Sequence, residues 1–366
     1  VQVGPGIFSE AVTINRNVTV RGAGAGATII DPPAAGTGVT VWNPADATLE
    51  DVTVTGGSRG INVEGTLTAR RVAVSGNVGT SDVGLFVYDS GGPATLRLED
   101  SLVSNNHTTA GSGGGLGAQI NSVVTVVGST FTLNTATGGD GGAIYHALGT
   151  LTVTNSTISG NSSTEDGGGI ATSSSSTATT LSSVTISGNT ADSDMDDFGD
   201  AGGLYRGGST VELRNTIIAG NVDGSPTPAN RTPDCSVAPV SLGNNLIGDT
   251  TGCAFTPGSG DITGAPAQLL PLDHYGGPTP THALAPASPA VDTGNTGGCA
   301  DAAATLATDQ RGQPRAVDGN GDGTARCDMG AYEYMAKTLD LSAKPKKVRM
   351  GKKTRLRAEV TPCAGH

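Results

Sequence analysis

The chain has 366 residues, of which 57 are glycine, 3% aromatic and 15% charged, so a compact core filled with large rings is excluded. Residues 1–336 contain 12 arginines, no lysine and 31 acidic residues, a net charge of −19, whereas residues 337–366 carry a net charge of +7. The two segments are therefore different modules. An acidic body without a basic stripe argues against nucleic acid as a partner, because phosphate binding depends on Lys and Arg.

Short strands with alternating apolar and polar residues begin near the N-terminus. Val12-Thr13-Ile14, Val18-Thr19-Val20 and Val52-Thr53-Val54 have the period-two pattern of a sheet with one buried face. No stretch of useful length has helical spacing, and no apolar run is long enough to cross a membrane. The first residues resemble the middle of a structure without a signal peptide, so we expect a trimmed mature fragment.

A repeat of just under thirty residues dominates the middle of the chain. One recurring unit is a strand that ends in Gly-Asn or Asn, and its asparagines are Asn77, Asn105, Asn134, Asn161, Asn189 and Asn221. Gly-Leu or Gly-Ile pairs and a further strand recur in phase, which gives about three strands per repeat. Because such strands shelter their apolar face only by stacking repeat on repeat, the sequence predicts an all-β, right-handed parallel β-helix over residues 1–250. The recurring asparagines are expected to form an amide ladder along one corner.

The repeats also resemble a known family. Phe131-Thr132-Leu133-Asn134, followed by Gly141-Gly142-Ala143-Ile144, is similar to the F-x-x-N and G-G-A-I repeats of polymorphic outer-membrane proteins. Those proteins are β-helical surface adhesins exported as autotransporter passengers. The resemblance implies a solenoid of the pectin-lyase-like type and exposure at a cell surface.

Three carboxylates precede the glycine pairs at equivalent places in the repeat: Asp140, Asp166 and Asp200. Stacked coils would hold neighbouring members of this row about 5 Å apart and alternate members about 10 Å apart. Such spacings permit glycosidase chemistry. They also permit calcium binding or simple solvation at a turn, and the sequence leaves these three uses open.

Aromatic residues occur at outward positions of the same repeats. Tyr145 and Tyr205 follow inward aliphatic residues, with His146 and Arg206 beside them. This set would suit a sugar chain or a partner surface, and bare surface aromatics are the alternative.

The five cysteines all lie in the last 132 residues and lack the short paired spacing of a zinc site. We expect local disulfides between Cys235 and Cys253 and between Cys299 and Cys327, with Cys363 left over. Two disulfides indicate an oxidising, extracellular setting.

A second resemblance covers about 65 residues after the repeats. Its motifs are Pro271-Leu272-Asp273-His274-Tyr275-Gly276-Gly277, Asp309-Gln310-Arg311-Gly312 and Cys327-Asp328-Met329-Gly330-Ala331-Tyr332-Glu333. They resemble the choice-of-anchor Q domain, which terminates β-helices in many secreted bacterial proteins. The resemblance implies a small capping module over residues 251–336, and residues 337–366 look like the start of a truncated immunoglobulin-like domain.

Within that module, residues 318–323 match the first half of a calcium loop, D-x-N-x-D-G. The candidate ligands are Asp318, Asn320, Asp322 and Asp328, although Met329 occupies the place of the usual glutamate. A tight glycine turn closed by the Cys299–Cys327 bond is the alternative. Calcium is the only cofactor that the sequence suggests.

The sequence favours a secreted or cell-surface scaffold or adhesin, monomeric, that presents a repeat face to a polysaccharide or another surface partner. The rival hypothesis is a polysaccharide hydrolase or lyase that uses the stacked carboxylates. The ordered catalytic motifs of pectate lyases and polygalacturonases do not occur, and no lysine precedes Lys337. Ice or mineral binding by Thr-x-Thr rows is a weaker third hypothesis, because the pairs do not recur in every repeat.

Overall fold

The computed structural model describes residues 1–33, 35–173, 178–295, 299, 305–344 and 355–362. Strands make up nearly all of the regular structure in these residues, and the one helical element among them is the 3-10 turn Pro228–Asn230. The all-β prediction is confirmed.

The stack contains four parallel sheets, of which three run along its length and one, the second, has only the six strands of the central coils; the chain visits the four in the same order in each central coil. The first sheet contains Gly6–Phe8, Thr28–Ile30, Thr53–Thr55, Ala73–Ser75, Leu102–Ser104, Thr130–Thr132, Thr157–Ser159, Thr185–Ser187, Ile217–Ile218, Leu246–Ile247 and Ile262–Thr263. The second contains Val78–Gly79, His107–Thr108, Thr135–Ala136, Ser162–Ser163, Thr190–Ala191 and Val222–Asp223.

The third sheet contains Val12–Ile14, Thr37–Val41, Arg59–Val63, Leu85–Val87, Leu116–Ala118, Ile144–His146, Ile170–Thr172, Leu204–Arg206 and Cys235–Ser236. The fourth contains Val18–Arg21, Asp46–Glu50, Thr66–Arg70, Thr95–Glu99, Ser122–Val127, Gly149–Thr154, Ala178–Ser182, Val211–Arg214 and Val240–Ser241. A central coil therefore has four strands where about three were predicted, because the two-residue strands of the second sheet are too short to show periodicity. The first sheet also continues past residue 250.

The core consists of aliphatic columns that follow the stack. One column of the third sheet is Val39, Ile61, Leu85, Leu116, Ile144, Ile170 and Leu204, each of them fully buried. Phe131 is the largest fully buried side chain. Each fully buried aliphatic side chain contributes about 1.5–3 kcal/mol of transfer free energy, so the columns supply the main driving force for folding.

An amide ladder occupies the corner between the first and second sheets. Its members are Asn77, Asn106, Asn134, Asn161, Asn189 and Asn221, and each Nδ2 donates to the Oδ1 of the next residue along the row at 2.8–3.0 Å. The Asn221 amide donates to Asp234 Oδ1, which ends the row. The prediction of a ladder is confirmed, but the residue of the second asparagine repeat is wrong by one. Asn105 is exposed with φ of 55°, and Asn106 is the buried member.

A second row runs along the corner between the fourth and first sheets. The Ser101 amide N–H donates to Ser129 Oγ and the Ser129 amide to Ser156 Oγ, each at 3.1 Å. Farther along, the Asn245 amide donates to Asp261 Oδ1 at 2.7 Å. Both corner rows thus end on an aspartate, an acceptor that needs no donor in a following coil.

The predicted C-terminal module folds back along the outer face of the first sheet instead of only closing the end of the stack. It contains the antiparallel pair Leu269–Asp273 and Thr281–Leu284. Its hydrogen bonds reach the solenoid residues Gly128, Thr130, Asn155, Thr157, Ser159, Thr185, Asn215 and Asn244. An apolar cluster joins Ile217, Ala219 and Leu246 of the solenoid to Leu284, Ala290 and Met329 of the module. The module therefore covers several coils.

The motif residues of the module form its contact with the solenoid. The Arg315 side chain is fully buried, lies 3.5 Å from Glu333, and donates to Asn155 Oδ1 at 2.7 Å. Gln310 donates to Thr130 Oγ1 at 2.8 Å and accepts from Thr157 Oγ1 at 2.6 Å. Because these groups are withdrawn from water, each depends on its partner across the interface.

Both predicted disulfides are present, Cys235–Cys253 and Cys299–Cys327. Cys363 lies outside the described residues. Backbone strands Lys337–Lys344 and Arg355–Pro362 form an antiparallel pair beyond the module.

Candidate functional site

The three predicted aspartates occupy equivalent places in successive coils between the second and third sheets. Asp140 Oδ1 accepts the Asp166 amide N–H at 3.2 Å, and Asp166 Oδ1 accepts the Asp200 amide at 2.8 Å. The predicted alignment is therefore confirmed. One oxygen of Asp140 and of Asp166 is committed to the backbone of the next coil, which leaves the other oxygen for a second partner.

Burial sets the protonation of this row. Partial burial raises the pKa of Asp140 and of Asp200, and it raises the pKa of Asp166 to about 6. The negative charge of Asp140 adds to the effect at Asp166, whereas the Asp200 amide and the Tyr205 hydroxyl counteract it. Asp166 is the middle member, so it is the first of the neighbouring carboxyls expected to hold a proton as the pH falls.

An outward row of the third sheet runs beside the aspartates. The parallel register aligns Phe86, Gly117, Tyr145, Ala171 and Tyr205. Burial, together with the neighbouring Asp166 carboxyl, raises the pKa of Tyr205 to about 12. Burial and the charges of Asp140 and Asp82 also raise the pKa of Tyr145. Both tyrosines are half-buried, and both keep their hydroxyl proton across the physiological range.

Asp82 is a fourth carboxylate that the sequence analysis missed. Its side chain is buried, Oδ2 accepts from Ser81 and Gln119, and Oδ1 has no hydrogen-bond partner. A Cβ added to Gly117 would overlap Asp82 Oδ1, so glycine at 117 makes the space that the carboxylate occupies. Burial raises the pKa of Asp82. We call Asp82, Asp140, Asp166, Asp200, Tyr145 and Tyr205 together the tyrosine–aspartate face.

An aromatic stack marks one end of this face. The rings of Phe86 and Tyr88 lie 4.6 Å apart, and the Arg59 guanidinium lies 4.5 Å from the centroid of Phe86. The Tyr88 hydroxyl donates to Glu64 at 2.8 Å. Arg59 brings a positive charge to this end, close to Asp82.

The expectation that His146 stands beside the tyrosines on the outer face is wrong, whereas Arg206 is half-buried next to Tyr205. His146 is fully buried, with Nδ1 at 2.8 Å from Thr179 Oγ1, and burial lowers its pKa to about 4. Arg206 turns its guanidinium to the carbonyls of Ser209 and Ala238. Side chains alternate along a strand, so the residue after an outward tyrosine points inward.

The predicted calcium loop is folded on its own backbone. Asp318 accepts the amides of Gly321, Asp322 and Gly323, and Asn320 also accepts the Asp322 amide. Asp328 does not join the loop, because it is buried and accepts the amides of Asp292 and Tyr334. Calcium binding by the other three residues stays a prediction.

One other acidic group is close enough to share an ion in the part of the chain that the structure describes. Its members are Asp192, Asp194 and Asp196, in the longer loop of the fifth asparagine repeat. Asp192 is buried and accepts the amides of Asp196 and Asp197, so its oxygens serve the loop itself.

A cavity of about 710 Å³ lies between the solenoid and the module, and none of the six residues of the tyrosine–aspartate face lines it. Its lining includes Asp223, Asp234 and Arg231. Asp223 accepts from Ser225 and Thr232, and Asp234 accepts from Asn221 and Asp249, so both carboxylates are already satisfied.

Residues 60–239 match the family model described as "Right handed beta helix region". No curated protein and no solved structure matches the chain. None of the described residues belongs to a helix with the length and hydrophobicity that a bilayer crossing needs. The stacked parallel strands and the family match together identify the fold as a right-handed parallel β-helix.

Proposed function

We propose that the protein is an extracellular, cell-surface scaffold or adhesin whose tyrosine–aspartate face binds a glycan or another surface partner. The observation that carries the proposal is the continuous outward row in which Tyr145 and Tyr205 lie among carboxylates. Half-buried rings offer apolar area, and carboxylates accept hydrogen bonds from hydroxyl groups, which is the combination that sugars require.

The extracellular location is supported by chemistry and by resemblance. Two disulfides persist most readily in an oxidising compartment. The Asp309-Gln310-Arg311-Gly312 and Cys327 to Glu333 motifs resemble the choice-of-anchor Q domain, and the repeats resemble outer-membrane adhesins. The interface formed by Gln310 and Arg315 gives these motifs a structural role that suits a rigid surface-displayed rod.

A hydrolase is the second candidate, and one observation favours it. Asp166, whose pKa is raised to about 6, stands between Asp140 and Asp200, so one carboxyl can be protonated beside ionised neighbours. Glycosidases use such a pair as acid and base. The engagement of Asp140 Oδ1 and Asp166 Oδ1 by backbone amides favours the binding function.

The test is a binding and turnover screen of the intact protein against plant, algal and bacterial polysaccharides and against whole cells. We expect retention on a polysaccharide or cell surface that Tyr145→Ala weakens, with no release of oligosaccharides. Retention that is equal for wild type and Tyr145→Ala would contradict the proposed face. Oligosaccharide release that Asp166→Asn abolishes would replace the scaffold by the hydrolase.

A further inference from the structure

Aromatic rings recur at every second coil of the outward row. Phe86, Tyr145 and Tyr205 alternate with Gly117 and Ala171 in the parallel register. Adjacent coils are separated by about 4.8 Å, so successive rings stand about 10 Å apart along the solenoid axis. A ligand that uses the whole row therefore needs a matching repeat.

Carboxylates fill the coils between the rings. Asp82 occupies the space above Gly117, between Phe86 and Tyr145. Asp166 belongs to the coil of Ala171 and accepts the Asp200 amide of the next coil, which carries Tyr205. Asp82 and Asp166 thus supply carboxylates at the two coils without a ring, in addition to Asp140 and Asp200 at the coils of Tyr145 and Tyr205.

Asp82 is a second observation, independent of the ring spacing, that indicates a ligand at this row. It is a buried side chain that has the unpartnered acceptor Oδ1 and lies directly over the backbone of Gly117. Buried carboxylate oxygens without a donor are rare, because each costs free energy of desolvation. A hydroxyl or water brought in by a ligand at this point would satisfy it.

The charge of the face selects among ligands. Four aspartates line it, and Arg59 at one end is the cation found next to Asp82. A chain of uronic acids or sulfated sugars would meet like charge along most of its length. Neutral hydroxyl groups would instead donate charge-assisted hydrogen bonds to the carboxylates.

We propose that the tyrosine–aspartate face binds a linear, uncharged glycan laid parallel to the solenoid axis, with a two-sugar repeat in register with every second coil. The flat C–H side of every second ring stacks on Tyr145 or Tyr205, and the intervening sugars bond to the carboxylates. This inference rests on the proposed function and names its ligand class.

The experiment is calorimetric titration of the intact protein with neutral β-1,4-linked gluco- and manno-oligosaccharides of two, four and six rings. We expect affinity to rise about fivefold when the chain becomes long enough to reach from Tyr145 to Tyr205, since each stacked ring adds about 1 kcal/mol. Tyr205→Ala should remove that rise. Tyr275→Ala, a half-buried tyrosine of the module, is the matched control and should behave as wild type.

A measurement on the wild-type protein keeps the test valid even if a tyrosine variant fails to fold. The ring signals of Tyr145 and Tyr205 in the NMR spectrum of the wild-type protein should move with the four-ring sugar and stay fixed with oligogalacturonate. Binding of oligogalacturonate in place of the neutral chains would overturn the inference and leave the proposed function standing, as would binding without dependence on length. If neither glycans nor cell surfaces bind, both the inference and the proposed function fail.

Discussion

The outer faces of the first and third sheets belong to the same coils, yet their surroundings differ. On the first sheet, Thr130 and Thr157 bond to Gln310, and Ile217 packs on Met329, so the hydrogen-bonding and apolar groups of that face are used within the chain. On the third sheet, Tyr145 and Tyr205 stay half-buried beside a row of carboxylates, among which Asp82 keeps an unpartnered oxygen. A β-helix offers several equivalent faces, and the one left uncovered with polar capacity is the place to look for function.

The largest effect is expected from a variant that weakens the contact between the module and the first sheet. Arg315→Ala removes a buried cation, so Glu333 loses its counter-ion and Asn155 Oδ1 loses its donor. We expect a loss of about 3–5 kcal/mol from the free energy of holding the module in place. Amide hydrogen exchange should then quicken in Thr130–Thr132 and Thr157–Ser159 and stay unchanged in Ile144–His146.

The control for this variant is Arg326→Ala, which removes an exposed arginine of the same module. This variant should have little effect on the amide hydrogen exchange of the first-sheet strands or on the midpoint of unfolding in urea. Equal protection of the first-sheet strands in wild type and Arg315→Ala would show that the interface does not hold the module.

A slightly smaller effect is expected where the coils themselves are held. Asn134→Ala removes the oxygen that accepts the backbone and side-chain amides of Asn106, and it removes the side-chain amide that donates to the Val103 carbonyl and to Asn161 Oδ1. We expect about 2–4 kcal/mol of destabilisation, read from the urea midpoint, because several buried polar groups become unsatisfied. Asn105→Gly changes the exposed neighbour. Glycine adopts the positive φ of this position without strain, so the variant should lose under about 0.5 kcal/mol of stability. Similar midpoints for the two variants would refute the ladder.

The covered face should also respond to pH. Burial raises the pKa of Glu333 to about 7 from its usual 4.5, and the Arg315 charge only partly offsets this. The unfolded chain loses the Glu333 proton at lower pH than the folded protein does, so the stability from this group is full below about pH 4.5 and declines up to pH 7. Buried His146 acts in the opposite sense, losing stability as the pH falls from 6.5 towards 4.

Comparison with Glu333→Gln separates the two groups. The difference in melting temperature between wild type and this variant should change between pH 4.5 and pH 7. The wild type should become less stable relative to the variant as the pH rises. A difference that is constant over this range would mean that Glu333 ionises as an exposed glutamate does.

The smallest effect concerns the open face. Tyr205→Phe removes the hydroxyl group that lowers the pKa of Asp166. We expect the carboxyl of Asp166, followed by carbon NMR, to titrate above the wild-type value of about 6, with a stability change under about 1 kcal/mol. If the titration midpoint of the Asp166 carboxyl is the same in wild type and Tyr205→Phe, a hydrogen bond from the Tyr205 hydroxyl to Asp166 is excluded.

The repeat predicted the coils, the ladder and the aspartate row, because each depends on residues that recur in phase. The ladder was misplaced at Asn105 because Asn106 follows directly, and only register separates an exposed corner residue from a buried one. The sequence analysis missed Asp82 because its backbone aligns with Gly113 and not with the row of Asp140, Asp166 and Asp200. Its carboxylate therefore joins the face from a position that does not recur in the repeat. His146 was misjudged although period-two alternation already turns it inward.

The position of the module was not predicted, although two strands carried a signal for it. Ile217–Ile218 and Leu246–Ile247 each have consecutive apolar residues, which indicates a strand covered on both faces. The interface itself depends on Gln310 and Arg315, whose partners lie more than 150 residues away in the chain. Pairings of that range leave no periodic trace in a sequence.

The central claim is that the third sheet, and not the first, is the binding face. Hydrogen exchange of the intact protein with and without a neutral six-ring β-1,4-glycan tests it most directly. The account predicts slower exchange in Ile144–His146 and Leu204–Arg206 when the glycan is bound, with Thr157–Ser159 and Thr185–Ser187 unchanged. Protection confined to the first sheet or to the module would contradict it.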